Sequence, residues 1–260
     1  MNNLKAALWV EILKVKKSRI FWMTIIAFSF ITIIIALMMF ILKNPELARN
    51  TGLLGDKAQI IGEASWPSYF KILSQIIAMG GLVGYGFIAS WIFGREFSDQ
   101  TTEDLLSLPT SRTTIITAKF IVMFLWSLLL SGLVLFIGLI AGQIVELSDW
   151  SSTIFLGGTN LFIITSLMTI AISTLVAFFA SFGRGYLPPM GYVISTIVIS
   201  QFLAALGHGS YIPWSIPALY SGAAGPAQSN LEPISFIIII ITALIGYIIT
   251  IRWWRTAEFS

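Results

Sequence analysis

The sequence contains no cysteine and a single histidine. Disulfides, thiolate nucleophiles and Cys-ligated zinc or iron–sulfur centres are therefore excluded, and no metal-ligating set is expected. Charge is also scarce. Asp, Glu, Lys and Arg make up 10% of the 260 residues, against about 25% in a typical soluble domain. Fifteen basic and twelve acidic residues could not coat the water-facing surface of a globule this size. The phosphate-binding loop G-x-x-x-x-G-K-[ST], the dinucleotide fingerprint G-x-G-x-x-G and H-E-x-x-H are missing. So is the nucleophile elbow G-x-S-x-G. His208 and Ser210 are sequence neighbours, an arrangement that rarely makes a nucleophile and its base. No catalytic residue and no cofactor on this chain are expected.

Apolar residues are what the chain has in excess, 57% of the total where globular domains carry about 45–50%. A bilayer-crossing helix needs about 20 of them in a row, and six stretches qualify. They run from about 20 to 42, 72 to 93, 115 to 145, 154 to 182, 187 to 206 and 234 to 251. The fold class expected is all-α integral membrane. Residues 1–19 form an amphipathic interfacial helix, residues 20–252 the six-span domain, and residues 253–260 a tail. Trp22, Trp66, Tyr69, Trp91, Trp150, Trp214, Tyr220, Trp253 and Trp254 fall near span ends, where amphipathic rings serve as interface anchors.

Orientation follows from the basic residues. With an internal N-terminus, eleven of the fifteen Lys and Arg lie inside, leaving Lys43, Arg49, Lys57 and Lys71 outside. Both termini are expected in the cytoplasm. Leu4, Leu8, Ile12 and Val15 recur at helical spacing before the first span, and Trp9 widens the stripe. An interfacial helix with that side in the acyl boundary is the expectation.

Polar residues inside the spans are few. Lys119 lies one turn from the inner end of span three and is expected to snorkel to the interface. Gln75, Asn160 and Gln201 are uncharged. Gly80 and Gly84 in span two, and Gly138 and Gly142 in span three, have the small-xxx-small spacing that permits close helix contact. An ion-coupled transporter would carry ionisable groups near the midplane, which counts against an ATP-independent secondary transporter or channel; that class is the alternative reading.

The inner loop 94–114 concentrates both charge signs: Arg95, Glu96, Asp99, Glu103, Asp104 and Arg112. A short helix over 102–108 would present Leu105, Leu106 and Leu108 on an apolar side. Pro109 would stop it, and Thr110 or Ser111 would cap the next helix. An acidic-then-apolar helix between two spans has the character of a docking element.

These residues carry a resemblance. The run Glu11-Ile12-Leu13-Lys14, the segment Phe93 to Phe97, the run Thr101 to Arg112 and Lys119 seven residues later resemble the six-span permease subunits of ATP-binding-cassette exporters. More narrowly they resemble the type-2 permeases that include bacitracin and lantibiotic self-protection transporters. In that family the segment often reads E-x-x-x-G-T-x-x-x-L-L-x-x-P-x-[ST]-R. Here Thr101-Thr102 stands where Gly-Thr is common.

The resemblance implies several things. This segment would be the coupling region, with Glu96, Glu103, Asp104 and Arg112 coupling and Leu105 and Leu106 seated in a cytoplasmic ATPase subunit. ATP and Mg would be bound by that partner. A second permease would complete a homodimer or related heterodimer in a bacterial inner membrane. The substrate would be an amphiphile such as a peptide antibiotic or lipid.

Overall fold

The computed structural model describes residues 2–44, 63–102, 109–223 and 231–257. Among them the chain forms α1 (Asn2–Lys17), α2 (Arg19–Lys43), α3 (Trp66–Ser98), α4 (Arg112–Ile144) and α5 (Ser152–Ile172). These are followed by α6 (Thr174–Phe182), α7 (Leu187–Ala205), α8 (Ile216–Tyr220) and α9 (Pro233–Thr256). Six segments are long and apolar enough to cross a bilayer: α2, α3, α4, α5 with α6, α7, and α9. They are spans one to six of a multi-pass membrane protein.

Span two is the axis of the bundle. Of its most apolar stretch 67% is buried, against 22% to 28% for spans one, five and six. It is also longer than expected, running from 66 to 98 rather than 72 to 93. The reason is packing: Trp66, Tyr69 and Phe70 are core residues before position 72, and beyond position 93 Glu96 is buried in ion pairs and Phe97 packs on Trp253 and Trp254. Glu96, expected in a loop, is therefore helical. The aromatic anchors divide accordingly. Trp22 and Trp150 are exposed, but Trp66, Tyr69, Trp91 and Trp254 are buried and hold helices together instead of marking the interface.

Five helices among the described residues stop by the same device, two of them on a glycine: His208 N–H donates to Leu203 O past Gly207 (φ 86°), and Ala223 N–H to Ala218 O past Gly222 (φ 76°). The other three stop on residues other than glycine. Thr101 N–H donates to Glu96 O, Leu147 N–H to Gly142 O, and Gly185 N–H to Ala180 O. In each case the residue before the donor is left-handed: Gln100, Glu146 and Arg184, at φ 56, 54 and 48°. This six-to-one bond satisfies carbonyls that a helix end leaves open. Span four breaks at Ser173. Its hydroxyl donates to Thr169 O, and Thr174 Oγ1 to Ala171 O. Such back-bonding bends helices while keeping polar groups satisfied away from water. Ser111 caps span three by accepting from Thr114 N. Span five begins at Leu187 with its two prolines in the first turn, where missing N–H groups cost nothing.

The loops gather at two ends. At one, Lys43 donates to the carbonyls of Val145 and Glu146, and Trp66 meets Trp150 at 4.7 Å. At the other, here the terminal end, α1 and the C-terminal turn of span six lie beside the ends of spans two and four.

Close approach between spans depends on particular glycines. A Cβ at Gly138 would stand 2.8 Å from Leu73, and one at Gly142 would stand 2.5 Å from Trp66. Gly84 faces the ring of Phe28, whereas Gly80 meets only Ile76 of its own helix. Gly246 is the tightest case against backbone, with Leu175 N and Thr174 Oγ1 both at 2.7 Å from the added carbon. A backbone cannot yield as a side chain can. Gly246→Ala should therefore destabilise the protein by about 1–3 kcal/mol through overpacking. Gly132→Ala, where nothing lies within 4 Å, should be neutral or slightly stabilising. Thermal unfolding of both variants in one detergent checks the contrast.

Candidate functional site

At the terminal end, four charged side chains from three helices meet in a small, nearly dry space. Lys119 of span three is fully buried, Glu96 of span two is 3% exposed and Glu11 of α1 is 5% exposed. Lys119 Nζ donates to Glu96 Oε1 at 2.6 Å, to the carbonyl of Ile92 at 2.9 Å and to Glu11 Oε2 at 3.3 Å. Lys14 Nζ donates to Glu11 Oε1 at 2.8 Å and to Glu96 Oε1 at 3.0 Å. Two ammoniums and two carboxylates alternate, so the cluster carries no net charge. Glu96 Oε2 accepts no hydrogen bond from the described residues.

Helical spacing explains why these residues converge. Glu11 follows Leu8 by three positions and precedes Val15 by four, so it sits on the apolar stripe of α1. Lys14 lies one turn further on the same side. Lys119 shares the inward face of span three with Ile115, Ile116 and Met123, all buried. Glu96 lies in the last turn of span two. α1 thus docks against span three with its Leu8, Ile12 and Val15 side packed on protein.

Two expectations are corrected here. Lys119 does not snorkel: both carboxylates lie within reach, and turning to the interface would strand them. The apolar stripe of α1 does not face the acyl boundary either. Leu4, Leu8 and Ile12 are half-buried, and it is Trp9 and Val10 that are exposed, at 64% and 45%. α1 is also no extension of span one, because the helices part at Ser18, whose hydroxyl accepts from Ile20 N.

The end of span two is tied to its other neighbours as well. Gly94 lies against the backbone of Gly185, where a Cβ would stand 2.8 Å from the carbonyl oxygen. Phe97 packs on Trp253 and Trp254, and Trp254 Nε1 donates to Ser181 Oγ. The Tyr186 hydroxyl bonds to Ser98, and burial raises its pKa. Arg112 donates to the carbonyls of Trp254 at 3.0 Å and Ala257 at 3.3 Å, a cation on the open C-terminal carbonyls of span six. Of the expected coupling residues, then, Glu96 is interior and Arg112 clamps a neighbouring helix. Glu103, Asp104, Leu105 and Leu106 lie outside the described residues.

Glu11, Lys14 and Lys119 were not among the expected site residues. A signal for them exists: a carboxylate in an apolar helical stripe and a lysine on a buried face each demand a partner.

Breaking such a cluster is expensive, because the remaining charges stay dry. Lys119→Met should cost about 3–5 kcal/mol. Adding Glu96→Gln restores neutrality and should recover part of that loss, which thermal unfolding of the two variants measures. Burial disfavours the Lys14 ammonium, but Glu96 and Glu11 outweigh it and raise its pKa above the ordinary 10.5. A raised folded value means that this contribution is complete below the unfolded pKa and is lost as pH rises through the folded one. The Lys14 contribution to stability should therefore be intact at neutral pH and be lost in alkali above about 10.5, so that alkaline destabilisation is smaller in Lys14→Met.

The cluster falls within a stretch shared with known proteins. A family model described as ABC-2 family transporter protein matches residues 7–201, which takes in most of α1, spans one to four and most of span five. The bacitracin transport permease protein BCRB of Bacillus licheniformis is 25% identical over 184 residues, covering 70% of this chain and 88% of that one. With the family model matching most of its length, and with six spans to match, the chain belongs to the ABC-2 transporter family and is a membrane subunit of an ABC transporter.

Proposed function

We propose that this subunit exports or clears an amphiphilic substrate, a peptide antibiotic or lipid-like molecule, driven by ATP hydrolysis on a separate cytoplasmic subunit. Mg-ATP is bound by that partner, and this chain carries no cofactor. The terminal end faces the cytoplasm of a bacterium, in keeping with its excess of Lys and Arg. A second permease, identical or related, completes a twelve-span assembly.

The observation that carries this reading is how the segment between spans two and three is rooted. Span two runs unbroken to Ser98 and span three starts at Arg112. Just before the first root, Glu96 is locked to α1 and span three. At the second, Arg112 is bonded to span six. A push on residues 99–111 from an ATPase closing below would reach α1 and three spans, two, three and six, through these ties.

A cavity of about 310 Å³ supports an amphiphilic substrate. It lies between spans two and five beneath the segment 214–223. Its walls are apolar at Ala78, Leu82 and Trp214, with Ser200 and Gln201 as polar points. Such a lining suits a molecule with an apolar body and few hydrogen-bonding groups.

The test is a double substitution in the expected docking helix. Leu105→Asp with Leu106→Asp should abolish substrate clearance from cells while leaving the protein inserted, and substrate should no longer stimulate ATP hydrolysis by the purified complex. Clearance at the unsubstituted rate would refute the coupling role.

A further inference from the structure

Beside the charge cluster, and sharing Lys14 with it, is an open groove of about 550 Å³. It is bounded by the last turns of α1, the first turn of span one and the last turns of span two. Four cations line it: Lys14, Lys17, Arg19 and Arg95, with Asp99 the single acid. Two of the four are compensated. Lys14 belongs to the cluster, and Arg95 donates to Asp99 at 3.1 Å while its guanidinium stands 5.1 Å from the Trp91 ring centre. Lys17 and Arg19 are exposed and have no acidic partner among the described residues. The groove therefore holds positive charge in excess.

Its other wall is apolar. Val10, Leu13, Ile20 and Trp91 line it. Below Arg19 the surface of span one continues as Trp22, Met23 and Ile26, each more than 60% exposed. That surface must face acyl chains, since span one is a bilayer-crossing helix. An anion held by Lys17 and Arg19 would lie at the headgroup level, with an apolar path leading down from it into the hydrocarbon. A soluble anion uses only the upper half of this site. A lipid uses both.

We infer that this groove binds an anionic phospholipid, its phosphate between Lys17, Arg19 and Arg95 and an acyl chain along Ile20, Met23 and Ile26. Basic recesses between helices at the bilayer interface are suited to such headgroups. The bound lipid joins the elbow between α1 and span one to the end of span two. The inference needs only a bilayer interface at this end. It does not depend on which side of the membrane the end faces, nor on the ATPase partner.

The experiment uses the purified full chain in mixed micelles of phosphatidylglycerol and phosphatidylcholine, with native mass spectrometry reading the lipids retained. The unsubstituted protein should retain phosphatidylglycerol in preference. Each interfacial cation contributes about fivefold, so Lys17→Gln with Arg19→Gln should weaken retention roughly thirtyfold. Lys5→Gln with Lys16→Gln removes the same charge from exposed positions outside the groove and should leave preferential retention in place. Equal loss in both double variants would reduce the effect to general attraction and overturn the site. So would full retention in the groove variant. Displacement of the lipid by an equal concentration of inorganic phosphate would assign the groove to a soluble anion and overturn the lipid.

Discussion

A lysine with no exposure to solvent has to be neutralised where it lies, and the structure at the terminal end follows from that requirement. Lys119 can be buried only because Glu96 and Glu11 are brought to it. Those carboxylates can be buried only because Lys14 supplies the second positive charge. Four residues on three helices thus fix one another's positions. A buried ion pair is weak support for stability, since well-packed apolar residues often serve as well. Its strength is in selecting an arrangement: any sliding of α1 along span three leaves charge unpaired in a dry place.

The same arrangement gives the segment between spans two and three its mechanical context. Span two is the most buried helix and its last turn touches nearly everything around it: α1 and span three through Glu96, span six through Phe97, and the turn between spans four and five through Gly94 and Ser98. Spans one, five and six present much more apolar surface outward. A buried axis with a many-sided joint at one end and more outward-facing spans around it suits the proposed push by an ATPase at that end. Rigid ties carry a displacement, and lipid-facing helices can yield to it.

Much of the fold could be read from composition alone. Runs of apolar residues located all six spans, and Ser111 placed one helix start, because those signals are local. Helix ends were less legible. Three of the left-handed stops fall on Gln100, Glu146 and Arg184, and two on the glycines that normally mark them, Gly207 and Gly222, and span two overran its expected limits because buried side chains extend it. The charge cluster was partly visible. Glu11 stands in an apolar stripe, which the spacing of Leu8, Ile12 and Val15 makes plain. Lys119 was misread because a lysine near a span end has two outcomes, interface or ion pair. The choice depends on whether a carboxylate lies within reach, and Glu96 is 23 positions away in sequence. Of the glycine pairs, Gly84, Gly138 and Gly142 lie at helix contacts and Gly80 does not. The motif records spacing and carries no information about which face meets a neighbour.

The central claim is that the charge cluster makes α1 and the roots of spans two and three one body. The absence of native cysteine allows a direct measurement. Spin labels at Lys5→Cys on α1 and Thr113→Cys at the root of span three, both exposed positions, would report the distance between them in the assembled transporter with and without ATP. One narrow distribution that stays in place in both states, and that broadens in Lys119→Met, is the expected result. A distance that shifts or splits on adding ATP in the otherwise unsubstituted protein would contradict the account.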